Sequence, residues 1–148
     1  MGEQGRGMFV PIQSFQGEFW FLSNFYIESD GTHVEGEYQA AKCRLAKDRR
    51  RFVGRTPGEA KILGMRVLLR DDWEYMKLSV MRDLVTRKFG DHPILRHALR
   101  ETGERALIEG NHWGDRYWGV CAGQGENHLG KILMAVRDGL RWPGGVRT

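Results

Sequence analysis

Cysteine is scarce in this chain: 148 residues hold two, Cys43 and Cys121, and they form no Cys-x-x-Cys pair. Two isolated thiols offer no disulfide framework and no zinc knuckle, and they indicate a reducing compartment, read as the cytoplasm. No apolar run approaches the roughly 18 residues of a membrane span, so no membrane partner is expected. The opening MGEQGRG has Gly2 but places Arg6 where a myristoylation signal needs Ser or Thr. No apolar signal-peptide core follows it. The five histidines, His33, His92, His97, His112 and His128, make no HExxH or paired-ligand pattern, which leaves no zinc or iron site to expect. A GxSxG elbow and a Walker A loop are also missing, and neither cysteine has an activating neighbour. The expectation is a protein with no metal and no cofactor.

What is present is ordinary globular material. The length suits one compact domain of about 100–200 residues, with enough buried surface to need no staple. Hydrophobic residues make up 41% and charged residues 28%, a usual balance. Five tryptophans are more than so short a core needs, and some are expected to line a pocket. Lys and Arg exceed Asp and Glu by 23 to 19, a formal charge of +4, which suits an anionic partner, either a phosphorylated ligand or nucleic acid.

The pattern along the chain changes period several times. Residues 18–28, EFWFLSNFYIE, are aromatic-rich and read as strand broken near Ser23-Asn24, with Asp30-Gly31 as a hairpin-type turn. From Glu35 the apolar positions Tyr38, Ala41, Leu45 and Ala46 follow helical spacing. Thr56-Pro57-Gly58-Glu59 carries an N-cap, a first-turn proline and a capping glutamate, and opens a helix expected to reach about Leu69. Residues 72–89 place Trp73, Met76, Val80, Leu84 and Val85 on one helical face, closed near Gly90. Pro93 starts a shorter helix that Gly103 ends. ALIEG reads as a short strand, residues 111–127 as a glycine- and aromatic-rich loop with a strand at 117–120, and Leu129 to Leu140 as a last amphipathic helix. The predicted fold is a small, helix-rich α+β domain with a short antiparallel sheet. Residues 1–14 are expected to be a flexible segment, 15–142 the domain and 143–148 a tail. The long loop before the last helix is where a site is expected.

Three groups of residues could carry chemistry. Glu35, Gln39 and Lys42 stand at i, i+4 and i+7, so one helix face presents a carboxylate, an amide and an amine. Such a face is often merely solvated. Here Ala40, Ala41 and Cys43 flank Lys42, and close packing by small residues would desolvate the amine and lower its pKa toward nucleophilic use. The second group, Glu109, Asn111, Asp115 and Trp118 in EGNHWGDRYWG, could hold a sugar or flat base by stacking and edge bonds. Its bland reading is a core tryptophan and a turn aspartate. The third, GQGENHLGK, places glycines before a helix, where backbone N–H groups can approach a phosphate. Asn127 there is equally readable as an N-cap.

In order along the chain, FLSNFY (21–26), EGEYQAAK (35–42), TPGEAKILG (56–64), DDWEYMKLSVM (71–81), LIEGN (107–111), DRYWG (115–119) and GENHLGKILMAVR (125–137) resemble the NADAR (YbiA-like) family. The resemblance covers nearly everything between residues 15 and 140. It implies a small α+β domain with N-glycosidase activity on guanine-derived compounds that join a phosphorylated ribose to nitrogen through C1′. Two substrate classes are implied: ribosylated early riboflavin intermediates, and guanine carrying ADP-ribose, including ADP-ribosylated nucleic acid. The catalytic residues expected from it are Glu35, Lys42 and Asp115. Substrate binding falls to Asn24, Phe25, Gln39, Glu109, Trp118, Gly119 and Asn127. Two routes are open, with Lys42 attacking C1′ as a neutral amine while Glu35 shuttles protons, or with Glu35 activating water while Lys42 orients ligand oxygens. The rival reading is a non-catalytic module that binds ADP-ribose or a related nucleotide. One departure stands out: the family commonly has histidine directly after the helix glutamate, and this chain has Gly36.

Overall fold

The structure is a computed structural model that describes residues 9–140. The proposed C-terminal tail and the first eight residues lie outside that range. A 3₁₀ helix (Gly17–Leu22) is followed by α1 (Val34–Ala41), α2 (Ala46–Arg50), α3 (Pro57–Gly64), α4 (Trp73–Asp91) and α5 (Pro93–Glu101). The strands β1 (Gly110–Asn111) and β2 (Val120–Cys121) and the helix α6 (His128–Leu140) complete it. The helix-rich α+β class expected from the sequence is the one observed. The chain divides into two compact units, Asn24–Lys88 and the residues on either side of it. Among the described residues no helix is long and apolar enough to cross a membrane.

In the unit Asn24–Lys88, α3 begins as its sequence dictates. Thr56 Oγ1 accepts the Glu59 N–H at 3.2 Å while Glu59 Oε1 accepts the Thr56 N–H at 3.0 Å, a reciprocal capping box. The helix ends at Gly64, earlier than expected, and α1 packs against it. Cys43, Phe52, Ala60 and Leu63 form a buried cluster there, flanked by Ala40 and Val67. Helical spacing from Glu35 does not continue through Leu45. Lys42 caps α1, and the chain turns extended so that Cys43 bridges Leu69. Leu45 is left exposed. On the part of α4 within this unit, Trp73, Met81, Val85 and Lys88 are buried, with Val80 only half-buried. The Trp73 ring stacks at a tilt on Tyr38, 5.1 Å between centroids. Asp30-Gly31 does form a turn, since the Gly31 N–H donates to Glu28 O and Glu28 N–H to Thr32 O, both at 2.8 Å. No strand pair flanks it.

The other unit differs from expectation in three places. The aromatic run after Gly17 is a 3₁₀ helix rather than a strand. Among the described residues it has no ladder partner, and i→i+3 bonds such as Ser23 N–H to Trp20 O, 3.0 Å, satisfy the backbone locally. Ile12, expected in a flexible segment, is 2% exposed and bridges Leu107, with its N–H bonded to Ala106 O and its carbonyl to the Ile108 N–H. The sheet is parallel, not antiparallel: Gly110 pairs with Val120 and Asn111 with Cys121. The eight residues between the strands form no hairpin turn and bring the chain back in the same direction. Leu95 and Leu99 of α5 and Leu129, Ile132 and Leu133 of α6 are buried, and the two helices pack together. Arg137 is buried beside them, donating to Thr102 Oγ1 at 3.0 Å and to Arg105 O at 2.7 Å.

Candidate active site

The start of α1 sets the first group of side chains. His33 is the N-cap: its Nδ1 accepts the Gly36 N–H at 2.9 Å, and its Nε2 lies 2.7 Å from Arg55 O. With Nδ1 accepting the Gly36 N–H, Nε2 is the ring nitrogen that faces the Arg55 carbonyl. A Cβ on Gly36 would come within 2.6 Å of His33 Cε1. The imidazole thus fills the space a side chain at 36 would need, which accounts for glycine at this position. The Glu35 N–H is satisfied by Asn24 O at 3.0 Å.

Glu35 is 8% exposed and accepts a 2.9 Å bond from Gln39 Nε2. Burial pushes its carboxyl above the ordinary range, against the pull of the Gln39 donor and the nearby charges of Lys61, Lys42 and His33. Half-buried Lys42 shows the opposite displacement. Loss of solvent lowers its amine, while Glu35 and then Cys43 act to raise it. The backbone of Lys42 is fixed by the Arg70 N–H, 2.9 Å from Lys42 O. A carboxyl raised and an amine lowered, each acting on the other's charge, are displaced toward one another, which favours passing a proton between them. Burial also raises the Cys43 thiol, which keeps it from acting as a thiolate.

Asn24 and Phe25 belong to the same unit as this group. Asn24 Nδ2 points at Met81 Sδ, 3.6 Å away, and the Phe25 ring lies under Lys61 Nζ at 5.8 Å. His33, Lys61 and Gly64 were not anticipated from sequence, yet each bears on Glu35, Gln39 or Lys42. A histidine two residues before the helix glutamate was the only available signal for the first. Lys61 and Gly64 share one face of α3 by their i, i+3 spacing, and nothing local ties that face to α1.

In the other unit, Glu109, Asn111, Asp115, Trp118, Gly119 and Asn127 are occupied with building the loop. Asp115 Oδ1 accepts the N–H groups of Tyr117 at 3.1 Å and Trp118 at 2.9 Å, a turn-forming role. Asn111 donates to Glu109 Oε2 at 3.0 Å and to Asp115 O at 2.8 Å, and accepts the Asp115 N–H at 3.0 Å. Trp118 stands edge-on to Tyr117, 4.8 Å between centroids, and Tyr117 packs on His128. At Gly119 a Cβ would lie 2.0 Å from Glu109 O, so glycine serves the close approach of backbone to backbone. Asn127, with φ 54°, precedes α6 and its carbonyl accepts the Lys131 N–H, but its side chain does not cap the helix: Oδ1 accepts the Glu109 N–H and Nδ2 donates to Leu107 O, both at 2.9 Å.

The phosphate cradle expected at GQGENHLGK is not free to act as one. The N–H groups of Glu126, Asn127, His128 and Leu129 donate to the carbonyls of Arg116, Gly119, Tyr117 and Trp118. The loop before the helix has taken the donors a phosphate would use. Among the described residues no group of three His, Cys, Asp or Glu is placed to hold a metal.

The NADAR domain profile matches residues 14–141. An N-glycosidase of Nostoc punctiforme is 41% identical over 115 residues, 73% of this chain and 73% of that protein. A riboflavin biosynthesis protein of Vibrio vulnificus is 42% identical over 131 residues, 82% of this chain but 35% of that longer protein. The solution structure of the Escherichia coli protein YbiA superposes with a TM-score of 0.78 at 31% identity, covering 91% of this chain and 86% of that one.

Proposed function

The chain belongs to the NADAR domain family, and from that premise we propose that it is an N-glycosidase cleaving the bond between a phosphorylated ribose and a guanine-derived base. The observation that carries this reading is the buried Glu35 bonded to Gln39 and coupled to a half-buried Lys42. N-glycosidic cleavage builds positive charge at C1′ and negative charge on the departing base, so it needs a nucleophile at the sugar and a proton for the base. With one proton shared between them, the pair can place it on Glu35 and leave Lys42 a neutral amine. Lys42 Nζ attacks C1′ as the bond to the base nitrogen breaks, and the base takes the freed electron pair and the Glu35 proton. The Glu35 carboxylate then accepts a proton from the C1′-bound nitrogen and returns it to the ring oxygen as the bond from C1′ to that oxygen breaks and the sugar opens to a protonated Schiff base. Addition of one water releases the sugar and restores Lys42.

An exposed basic run in the same unit, Arg44, Lys47, Arg49, Arg50, Arg51 and Arg55, supports a substrate bearing phosphates. Lys47, Arg49 and Arg50 have no ion pair among the described residues. Asn24 and Phe25 are assigned to substrate contact beside Glu35. For the other unit, taken by itself, we propose Asp115, Glu109 and Trp118 as ligand-contacting residues. The free thiols Cys43 and Cys121 support a cytoplasmic location.

The test is to incubate the purified protein, with EDTA present, with guanine-ADP-ribosylated DNA and, in parallel, with a ribosylated riboflavin intermediate. Mass spectrometry follows the released base. Release from one substrate establishes the activity and its class. Tight binding of either without release would instead make the protein a nucleotide-binding module.

A further inference from the structure

Gly64, the last residue of α3, is buried at the point where that helix packs on α1. Its backbone gives no reason for glycine, since it is absent from the positive-φ residues, and helix propensity alone would favour alanine. Space gives the reason. A Cβ at Gly64 would lie 1.9 Å from Gln39 Oε1, 2.6 Å from Gln39 Cδ and 3.1 Å from Lys42 Cε. The amide oxygen of Gln39 occupies the volume a side chain would take. That oxygen is buried and has no hydrogen-bond partner, so shape rather than bonding holds it. With Oε1 lodged against Gly64, Nε2 is the atom that meets Glu35, at 2.9 Å. A reversed amide would set oxygen against a carboxylate oxygen and leave the NH₂ group facing a helix with no acceptor to offer.

We propose that Gly64 is a positioning residue for the Glu35–Lys42 pair: its bare backbone is the seat that orients the Gln39 amide toward Glu35 and packs the end of the Lys42 chain. Its meaning for catalysis rests on the N-glycosidase reading above. The seat itself is a property of the free protein and is tested there.

Glu35 in the free protein is titrated by carbon-13 NMR of its carboxyl in wild type, Gly64→Ala, Gln39→Ala and the double variant. Gln39 is the donor that most holds Glu35 down against burial. Gly64→Ala pushes that amide aside, so the Glu35 midpoint rises as it does in Gln39→Ala, and the double variant rises no further than Gln39→Ala alone. Displacing reacting groups on this scale costs about 10²-fold in kcat, and the loss should fall on kcat rather than KM. Should Gly64→Ala fail to fold, adding Gln39→Ala removes the clash and restores folding. An unchanged Glu35 midpoint in a folded Gly64→Ala, an equal Gly64→Ala effect with and without Gln39, or, where Gly64→Ala alone does not fold, a double variant that does not fold either would overturn the proposal. A wild-type protein that turns over neither substrate would sink the N-glycosidase reading while leaving the titrations to decide on the seat.

Discussion

Lys88 lies inside α4 and is 1% exposed. Its ammonium sits over the Tyr26 ring, 5.1 Å from the centroid. The Glu28 carboxylate favours the charge and the Arg87 guanidinium opposes it, but burial outweighs both and pushes the amine from 10.5 to about 7. Such a displacement corresponds to roughly 5 kcal/mol against folding when the lysine must be buried charged. Below pH 7 folded and unfolded chains both hold the proton, and this cost is complete. Between 7 and 10.5 only the unfolded chain holds it, so stability climbs with pH, and above 10.5 the cost has gone. Lys88→Met keeps the length and the helix preference and removes the charge. Glu28 then keeps Arg87, 3.2 Å away, but loses a second cation, which cuts the expected gain at pH 6 to about 1–4 kcal/mol. Urea unfolding followed by circular dichroism at pH 6 through 10 measures it. The gain must shrink as pH rises above 7, by no more than about 1.4 kcal/mol per pH unit. A variant no more stable than wild type at pH 6, or one whose advantage is the same at pH 6 and pH 10, refutes the reasoning.

Three other outcomes follow from particular contacts. Thr56→Ala removes half of the α3 capping box and should lower stability by about 1 kcal/mol, read from thermal unfolding; no loss would mean the box is unimportant to α3. Asp115→Ala leaves the Tyr117 and Trp118 N–H groups without their acceptor and should cost about 1–3 kcal/mol in denaturant unfolding. If its fold holds and turnover still falls about 10²-fold, Asp115 acts on the substrate as well as on the loop. The pH profile of kcat/KM should be a bell narrowed from both sides. Activity rises as the pair loses its first proton, above the ordinary 4.5 of a glutamate, and falls as it loses the second, below the 10.5 of a lysine. Limbs at or outside those two values would contradict the proton-sharing pair.

The parts of this protein legible from sequence are those fixed by neighbours in the chain. Thr56, Pro57 and Glu59 announce the start of α3 because the capping bonds span three residues. Glu35, Gln39 and Lys42 could be grouped because helical spacing alone puts them on one face. Residues whose partners are distant in sequence were misread or missed. The aromatic run at 18–28 has strand-like composition, but no strand was there to pair with it. Glycines before α6 resemble an anion site, yet carbonyls of residues 116–119 claim the N–H groups. Asn127 stands where an N-cap reads, but its side chain ties down Leu107 and Glu109 instead of capping α6. Gly64 gives no signal at all until α3 is laid against α1, where its missing side chain becomes the space that Gln39 fills.

Turnover of a ribosylated guanine-derived substrate by Glu35→Gln and Lys42→Ala, compared with wild type in the presence of EDTA, tests the pair most directly. Each variant is expected to keep its fold and lose at least about 10²-fold in kcat, while wild type is unaffected by the chelator. Near-wild-type release of base by both folded variants would contradict the assignment of the chemistry to Glu35 and Lys42.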